Sequence, residues 1–372
     1  GASAAPSTAG GHADGELEDK RISWFHKYVV EKITEHPRLA EPEESKDITT
    51  TYTYATFGDA VDGALWAKNQ GEFTRPKKRT WDDWRGYPVV TAVTSATDET
   101  KGTTGSKSVT RYFRGMADDV LADDTPEKSS DDVKRGSTMT DVTGAVLATD
   151  RKAYAGLVAE SLTYPDDRAA TASGWISRSV NIPDAPVRLA TRKRTDGPDV
   201  TAERVTLGET RTITKASGKG ADGSTLRTVT TRTEYDDTYG LPTLVRELGD
   251  EADPQDNTCT ATSYVHNTSG TNYLVGLVAQ TVTTTGTSTC STDLSSATAK
   301  TMVSGSRMFY DGASSHTATP TKGLVTRTVA PTGAGTGWQT THPESRTEYD
   351  TTGRVLNRCG RWRTGPSPTQ GS

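Results

Sequence analysis

The chain has 372 residues, a formal net charge of -5 and a hydrophobic fraction of only 32%, so it is long enough for a substantial core but too polar for ordinary compact domains. Its positive residues are scattered rather than striped, which excludes a nucleic-acid footprint, and no apolar run reaches the roughly 18 residues of a membrane-spanning helix. Threonine is about one residue in six, and 13 Tyr and 7 Trp sit with many β-branched residues in alternating runs, which predicts a long β-sheet with a thin apolar side and a wet, Thr-rich side.

Residues 1–19 are small, polar and acidic, the composition of a disordered tail. An N-terminal β-rich region is expected over 20–136. It opens on Ile22 to His36, where Tyr28-Val-Val30 favours a strand over a helix. An acidic turn then leads to a clear strand, Ile48 to Phe57, with Tyr52 and Tyr54 on one face, and the two strands form a hairpin. A short helix carrying Leu65 and Trp66 is conceivable over Ala60 to Lys68, weakened by Gly63. The aromatic cluster Trp81-Asp-Asp-Trp84-Arg-Gly-Tyr87 follows. Pro88 to Thr94 and Lys107 to Phe113 read as partner strands, and the charged run Ala117 to Gly136 as an exposed loop.

From 137 to 363 the reading is hairpin after hairpin. Ser137 to Ala148 is strand, Gly144 turn, strand. Lys152 to Tyr164, with Tyr154, is a shortened relative of the repeat that follows. Trp175 to Val180 and Val187 to Arg194 flank a turn, and Val200 to Leu207 pairs with Glu209 to Ala216 about Gly208. Gly218 to Gly223 is a flexible turn. It leads to Arg232-Thr-Glu-Tyr235-Asp236-Asp-Thr-Tyr-Gly240, followed by a second alternating run to Leu248. The same thread returns as Arg346-Thr-Glu-Tyr349-Asp350-Thr-Thr-Gly353. A third copy, Met308-Phe-Tyr310-Asp311-Gly312, has a stretched turn and begins its return only at Gly323. A fourth, Tyr264-Val-His266, has Val in place of Asp and returns at Gly276. Leu294 to Ser306 is a polar bend, 333–342 a Gly/Thr loop holding Trp338, and 364–372 a frayed tail.

Each unit is a strand ending in Tyr-Asp, a glycine able to take positive φ, and a second strand. The Asp accepts from turn N–H groups. The tyrosines are expected to stack as a ladder along one face, each cross-strand aromatic pair worth roughly 0.2–1 kcal/mol. Hairpins stacked edge to edge make a quasi-one-dimensional sheet in which neighbours supply most of the stability.

These units resemble the YD repeats of the Rhs family, which also occur in the shell component of Tc toxin complexes and in teneurins. Trp24-Phe-His-Lys-Tyr-Val-Val30, Trp81 to Tyr87 and Arg111-Tyr-Phe-Arg-Gly-Met116 resemble large secreted actinobacterial Rhs-like proteins. The resemblance spans about residues 20–363. It implies an all-β fold of repeated antiparallel hairpins in a curling sheet, part of a hollow shell that encloses a C-terminal toxin. The family's Asp-Pro cleavage segment is not legible: the one Asp-Pro, Asp253-Pro254, lies in an acidic mid-chain loop. The chain is therefore expected to be wall rather than toxin, and a section of a longer protein.

The three cysteines are an odd count. The midpoint of Cys259 and Cys290 falls near 274–275, close to the presumed bend between the Tyr264 and Gly276 strands. A hairpin there would set them opposite one another at bonding distance. A disulfide is expected, which favours an extracellular home, and Cys359 is left over.

Catalytic and metal motifs are weak against their bland alternatives. Asp82 and Asp83 between two tryptophans could serve an acid/base pair on a sugar, but aromatic packing with solvated carboxylates explains them. Asp118-Asp119 and Asp123-Asp124 lack the glycine-centred pattern of a calcium loop, and the 6 His are spread singly. No enzyme, cofactor or metal is expected. The favoured partner is the rest of a longer Rhs-like chain or an enclosed polypeptide. The alternative is a secreted adhesin or cell-wall glycan binder using Trp66, Trp81, Trp84 or Trp338.

Overall fold

The computed structural model describes residues 26–36, 47–55, 66–74, 79–95, 105–119, 135–169, 173–195, 199–215, 226–270, 273–286, 302–331 and 343–362. Predicted features at 1–19, 218–223, 333–342 and 364–372, together with Cys290 and Trp338, lie outside them. Among the described residues the protein is all-β, with an antiparallel sheet of fifteen strands that does not close on itself and three two-stranded ribbons. Two compact units divide the chain: Gly1–Leu207 with Thr212–Leu226, and Gly208–Arg211 with Arg227–Ser372. The first takes in both sides of the 136/137 boundary expected from the sequence.

In the first unit the sheet is built from β1 (Lys32–Glu35), β2 (Ile48–Ala55), β5 (Val89–Thr94), β6 (Ser106–Tyr112), β9 (Val158–Thr163), β10 (Ser177–Pro183) and part of β13 (Leu207–Lys215), neighbours in that order. The ribbons pair β3 (Trp66–Ala67) with β4 (Asp83–Trp84), β7 (Thr138–Thr140) with β8 (Val146–Thr149), and β11 (Val187–Arg192) with β12 (Val200–Arg204). Alternation places one set of side chains inward. Val109, Leu162, Tyr164, Trp175, Val180 and Ile213 form one buried cluster, and Phe113, Met139, Tyr154 and Ala159 another.

In the second unit β14 (Leu226–Tyr235), β15 (Pro242–Asp250), β16 (Thr258–Asn267), β17 (Leu274–Thr285), β18 (Met302–Tyr310), β19 (Val325–Val329), β20 (Pro343–Tyr349) and β21 (Val355–Trp362) follow one another in space as in sequence. Each strand pairs antiparallel with the next, as strands consecutive in sequence commonly do. The apolar side is thin here: Leu244 with Cys259 and Ala261, and Val265 with Ala279 and Tyr310. The other side carries Thr ladders such as Thr260 to Thr283, Oγ1 to Oγ1 at 2.9 Å.

Several local expectations change. Trp66 lies in strand β3 and not in a helix, because its backbone pairs with Trp84. Strand β11 pairs with β12, while β10 pairs with β9 and neighbours β13, so neither hairpin foreseen around 181–186 or about Gly208 forms. Alternation sets the faces of a strand but does not choose its partner. Residues 302–306, assigned to a polar bend, begin β18. Asp119, read as a solvated loop residue, is buried, and its carboxylate accepts the Lys68 N–H at 3.0 Å.

Candidate functional site

The recurring hairpin is the chain's most repeated piece of geometry. In the last unit the Asp350 Oδ1 accepts the Thr352 N–H at 2.8 Å, the Thr352 hydroxyl at 2.7 Å and the Arg354 N–H at 2.9 Å. Gly353 takes φ +84°, the left-handed region that glycine enters freely. Asp236 accepts from the Tyr239 and Leu241 N–H groups. Asp311, itself at φ +55°, closes the stretched turn by accepting four N–H groups, from Thr321, Lys322, Gly323 and Leu324. One carboxylate thus does for a long excursion what it does for a tight turn. In the Tyr264 unit, with Val at the Asp position, the His266 Nδ1 accepts the Gly276 N–H at 3.1 Å.

Burial works to raise the pKa of Asp311, but the four backbone donors outweigh it and hold the carboxyl below its ordinary 3.8. A depressed folded pKa contributes stability that is full above the unfolded value and lost as pH falls through the folded one. Asp311→Ala is expected to cost about 1–2 kcal/mol at neutral pH, the lower part of the range for orphaned donors because water reaches this turn. Urea unfolding at pH 7 and pH 3 checks this: the gap between wild type and variant should shrink at the lower pH.

The tyrosines work differently from the predicted ladder. No ring–ring contact joins Tyr264, Tyr310 and Tyr349; Tyr264 lies over His266 instead, ring centroids 6.5 Å apart. Each hydroxyl reaches back to the preceding hairpin. Tyr264 donates to the Pro242 carbonyl at 2.8 Å, Tyr310 to that of Val278 at 2.9 Å, and Tyr349 to that of Val325 at 3.0 Å. The glycines are also shared between units. A methyl group on Gly276 would meet the Leu241 side chain at 3.3 Å, one on Gly323 would meet Leu277 at 3.2 Å, and one on Gly353 would meet Leu324 at 3.7 Å. Each unit therefore supplies a leucine and a carbonyl that complete the next.

Two further copies join the repeat, the second on the Ser137 to Ala148 hairpin expected about Gly144. Tyr112 ends β6 and faces Val158, with a register shift just before it as at Tyr235, Tyr264, Tyr310 and Tyr349. The Phe113 N–H donates to the Leu157 carbonyl at 2.9 Å, the bond Asp236 makes to Leu241, Asp311 to Leu324 and Asp350 to Arg354. Gly156, at φ +88°, supplies the glycine. Residues 114–155 are an insertion into this turn, and the one legible signal was the triplet Gly-Leu-Val at 156–158, 276–278 and 323–325. The second copy lies inside the insertion: Asp141 Oδ1 accepts from Thr143 N, Thr143 Oγ1 and Ala145 N, the Asp350 pattern with Thr140 in place of tyrosine. Tyr154, by contrast, is not a repeat tyrosine. It sits on a 3-10 turn, Lys152–Tyr154, and its buried hydroxyl donates to the Asp184 carbonyl at 2.8 Å.

The Asp141 turn is tied to the sheet by a buried charge cluster. The Arg178 Nη1 lies 2.9 Å from both Asp141 Oδ2 and Glu160 Oε1, Arg111 Nε is 3.5 Å from Glu160 Oε2, and the Val142 N–H donates to Glu160. Burial pushes Glu160 up against the pull of Arg178.

The aromatic cluster is assembled but closed in. Trp84 lies 4.9 Å from Trp66 and 5.6 Å from Tyr87, with Tyr54 at 4.9 Å from Tyr87. Trp81 carries the Lys68 ammonium at 5.3 Å. All five rings are partly buried. Beside them a cleft of about 790 Å³ is lined by Asn69, Asp82, Asp83, Trp84, Arg194 and Asp199, among others. Among the described residues no group of three or more His, Cys, Asp or Glu is placed to hold a metal ion, and no helix is long and apolar enough to cross a membrane.

Cys259 is buried and Cys359 is exposed and free. The residue opposite Cys259 in the β16–β17 hairpin is Thr284, not position 290, because the bend falls a few residues earlier than the midpoint argument placed it.

No family model matches the chain, and no curated protein does. Among solved structures it is similar to TcdB2-TccC3 without its hypervariable C-terminal region, with a TM-score of 0.47 and 15% identity over 77% of this chain and 15% of that one. The same figures describe its similarity to a chain of the Photorhabdus luminescens Tc holotoxin pore. The protein spans about a seventh of the length of these chains.

Proposed function

We propose that the protein is a non-catalytic wall section of a secreted Rhs/YD-repeat protein, part of a β-shell that encloses or presents a toxin or other polypeptide. The observation that carries this reading is the reciprocity of the units. Each hairpin is completed by the tyrosine hydroxyl and glycine of its neighbour, an arrangement that extends a surface. The repeat's aspartates are spent on turn amides and their carboxylates are not gathered in a cleft, which supports a structural role over hydrolysis. Purification from the native source under non-denaturing conditions, with intact mass and sequencing of both termini, tests it. The expected result is a longer chain with a protease-protected polypeptide. A 372-residue product with nothing enclosed overturns it.

An extracellular home is part of the proposal, and with it a Cys259–Cys290 bridge. Strand β17 ends at Thr285, and its Thr284 faces Cys259 on one side and Met302 on the other. Five residues of chain, at most about 3.5 Å each, separate position 290 from that strand end. Peptide mapping with and without reductant is expected to find the two linked and Cys359 free; both as free thiols would remove this support.

The alternative, a glycan-binding module, draws on the cleft beside Trp84, where carboxylates and an amide stand next to an indole. Glycan-array binding abolished by Trp84→Ala would favour it.

A further inference from the structure

Three pieces of the first unit stand apart from the large sheet: the β3–β4 ribbon, the 114–155 insertion and the β11–β12 ribbon. All three border one cleft of about 480 Å³, within the range of small-ligand sites. Lys68 and Arg85, which flank the first ribbon, line it together with Arg151 and Lys152 of the insertion and Arg188 of β11. Against these five cations the lining holds three carboxylates, Asp118, Asp119 and Glu203. The cleft is thus locally positive in a chain whose net charge is -5.

Most of these charges have an occupation. The Asp119 carboxylate accepts the Lys68 N–H, the Lys68 ammonium lies over Trp81, Glu203 Oε1 is 3.9 Å from Arg188 Nε, and Asp118 is exposed to water. Arg85 and Lys152 are less well served. The Arg85 side chain is only 9% exposed; its Nη2 donates to Asp83 Oδ2 at 2.7 Å, but its Nε–H is buried without a hydrogen-bond partner. The Lys152 ammonium donates to an uncharged acceptor, Gln70 Oε1, at 3.2 Å. Partial burial and the Arg85 charge push the Lys152 amine below its ordinary 10.5, against the weaker pull of Asp83 and Asp119. A desolvated cation is costly unless it is paired, and one anion placed between two such groups serves both.

We propose that this cleft binds a compact oxyanion, a phosphate, sulfate or carboxylate group, between the Arg85 guanidinium and the Lys152 ammonium, with exposed Arg151 adding charge. A guanidinium fork matches the geometry of such groups, and the ammonium supplies a point charge. The volume admits one small anion or the charged end of a larger ligand, and no extended polyanion. The site is distinct from the cleft beside Trp84, although Gln70 and Lys152 line both, and it stands whether or not the chain encloses a cargo.

The probes are orthophosphate and glucuronate, titrated separately into the full chain at low ionic strength, with calorimetry and hydrogen exchange as readouts. Saturable binding of at least one is expected, with slowed exchange at Arg85 and around Lys152; the tighter probe tells a phosphate-like group from the carboxylate of a sugar acid. Lys152→Gln should weaken binding about 10-fold at unchanged melting temperature, the loss of one charge-assisted hydrogen bond. Arg85→Lys keeps the charge but removes the Nε–H and the planar fork, and should weaken binding several-fold. If that buried substitution unfolds the chain, Lys152→Gln alone decides. No saturation by either probe at tens of millimolar, undiminished affinity in Lys152→Gln, or protection elsewhere overturns the proposal. Failure here leaves the earlier readings intact, because the wall is decided by the native termini and cargo, and the glycan module by Trp84→Ala.

Discussion

Tyr310→Ala is expected to destabilise the protein by about 3–5 kcal/mol, the range for truncating a large buried aromatic. Tyr310 is 5% exposed and packs with Val265 and Ala279, and its hydroxyl holds the Val278 carbonyl one hairpin away. Truncation removes the packing and leaves the carbonyl without this donor. Tyr310→Phe keeps the ring and removes only the bond, so its cost should fall to about 0.5–1.5 kcal/mol. Denaturant unfolding of both variants separates the two contributions. If the Phe variant loses as much as the Ala variant, ring burial is not what Tyr310 supplies; if it loses nothing, the backward latch is energetically idle.

Glu160→Ala should cost a comparable amount, about 3–5 kcal/mol, because removing one member of a buried ion cluster leaves its partners desolvated and underpaired. Glu160 is fully buried and joins Arg178, Arg111 and the Val142 N–H. Its loss removes the Val142 N–H anchor and leaves the Asp141 turn held to the sheet by Arg178, so exchange of the 141–146 amides should rise more than that of β9 and β10. Glu160→Gln retains an acceptor and the volume and should cost less. Uniform loss of protection across the first unit, with no excess at 141–146, would show that the cluster does not clamp this turn.

The Asp141 carboxyl adds a pH signature. Burial alone would raise it, but Thr143, Arg178 and Ala145 outweigh burial and hold it below its ordinary 3.8. Its contribution is therefore full above 3.8 and lost as acid protonates it through the lower folded value, whereas the raised Glu160 gives the opposite slope.

The all-β class and the units at Tyr235, Tyr264, Tyr310 and Tyr349 were legible because their signals are local. Strand alternation, the tyrosine and the glycine at positive φ all lie within one hairpin or its turn. The Tyr112 unit was not legible, because residues 114–155 separate its tyrosine from Gly156, and the nearby Tyr154 drew the assignment instead. Asp119 and Glu160 carry charges that a sequence reading places in water; only the folded chain supplies the partners that let them be buried.

By itself, then, the sequence determined that this chain makes hairpins, where most of them turn and which aspartates close them. These features follow from φ preferences and side-chain reach over a few residues. Tertiary structure alone decided which partners β9 to β13 take, that the tyrosines latch backward instead of stacking, and that Leu241, Leu277 and Leu324 press on the next unit's glycine. Those contacts join residues on different hairpins, and their geometry exists only once the sheet register is set.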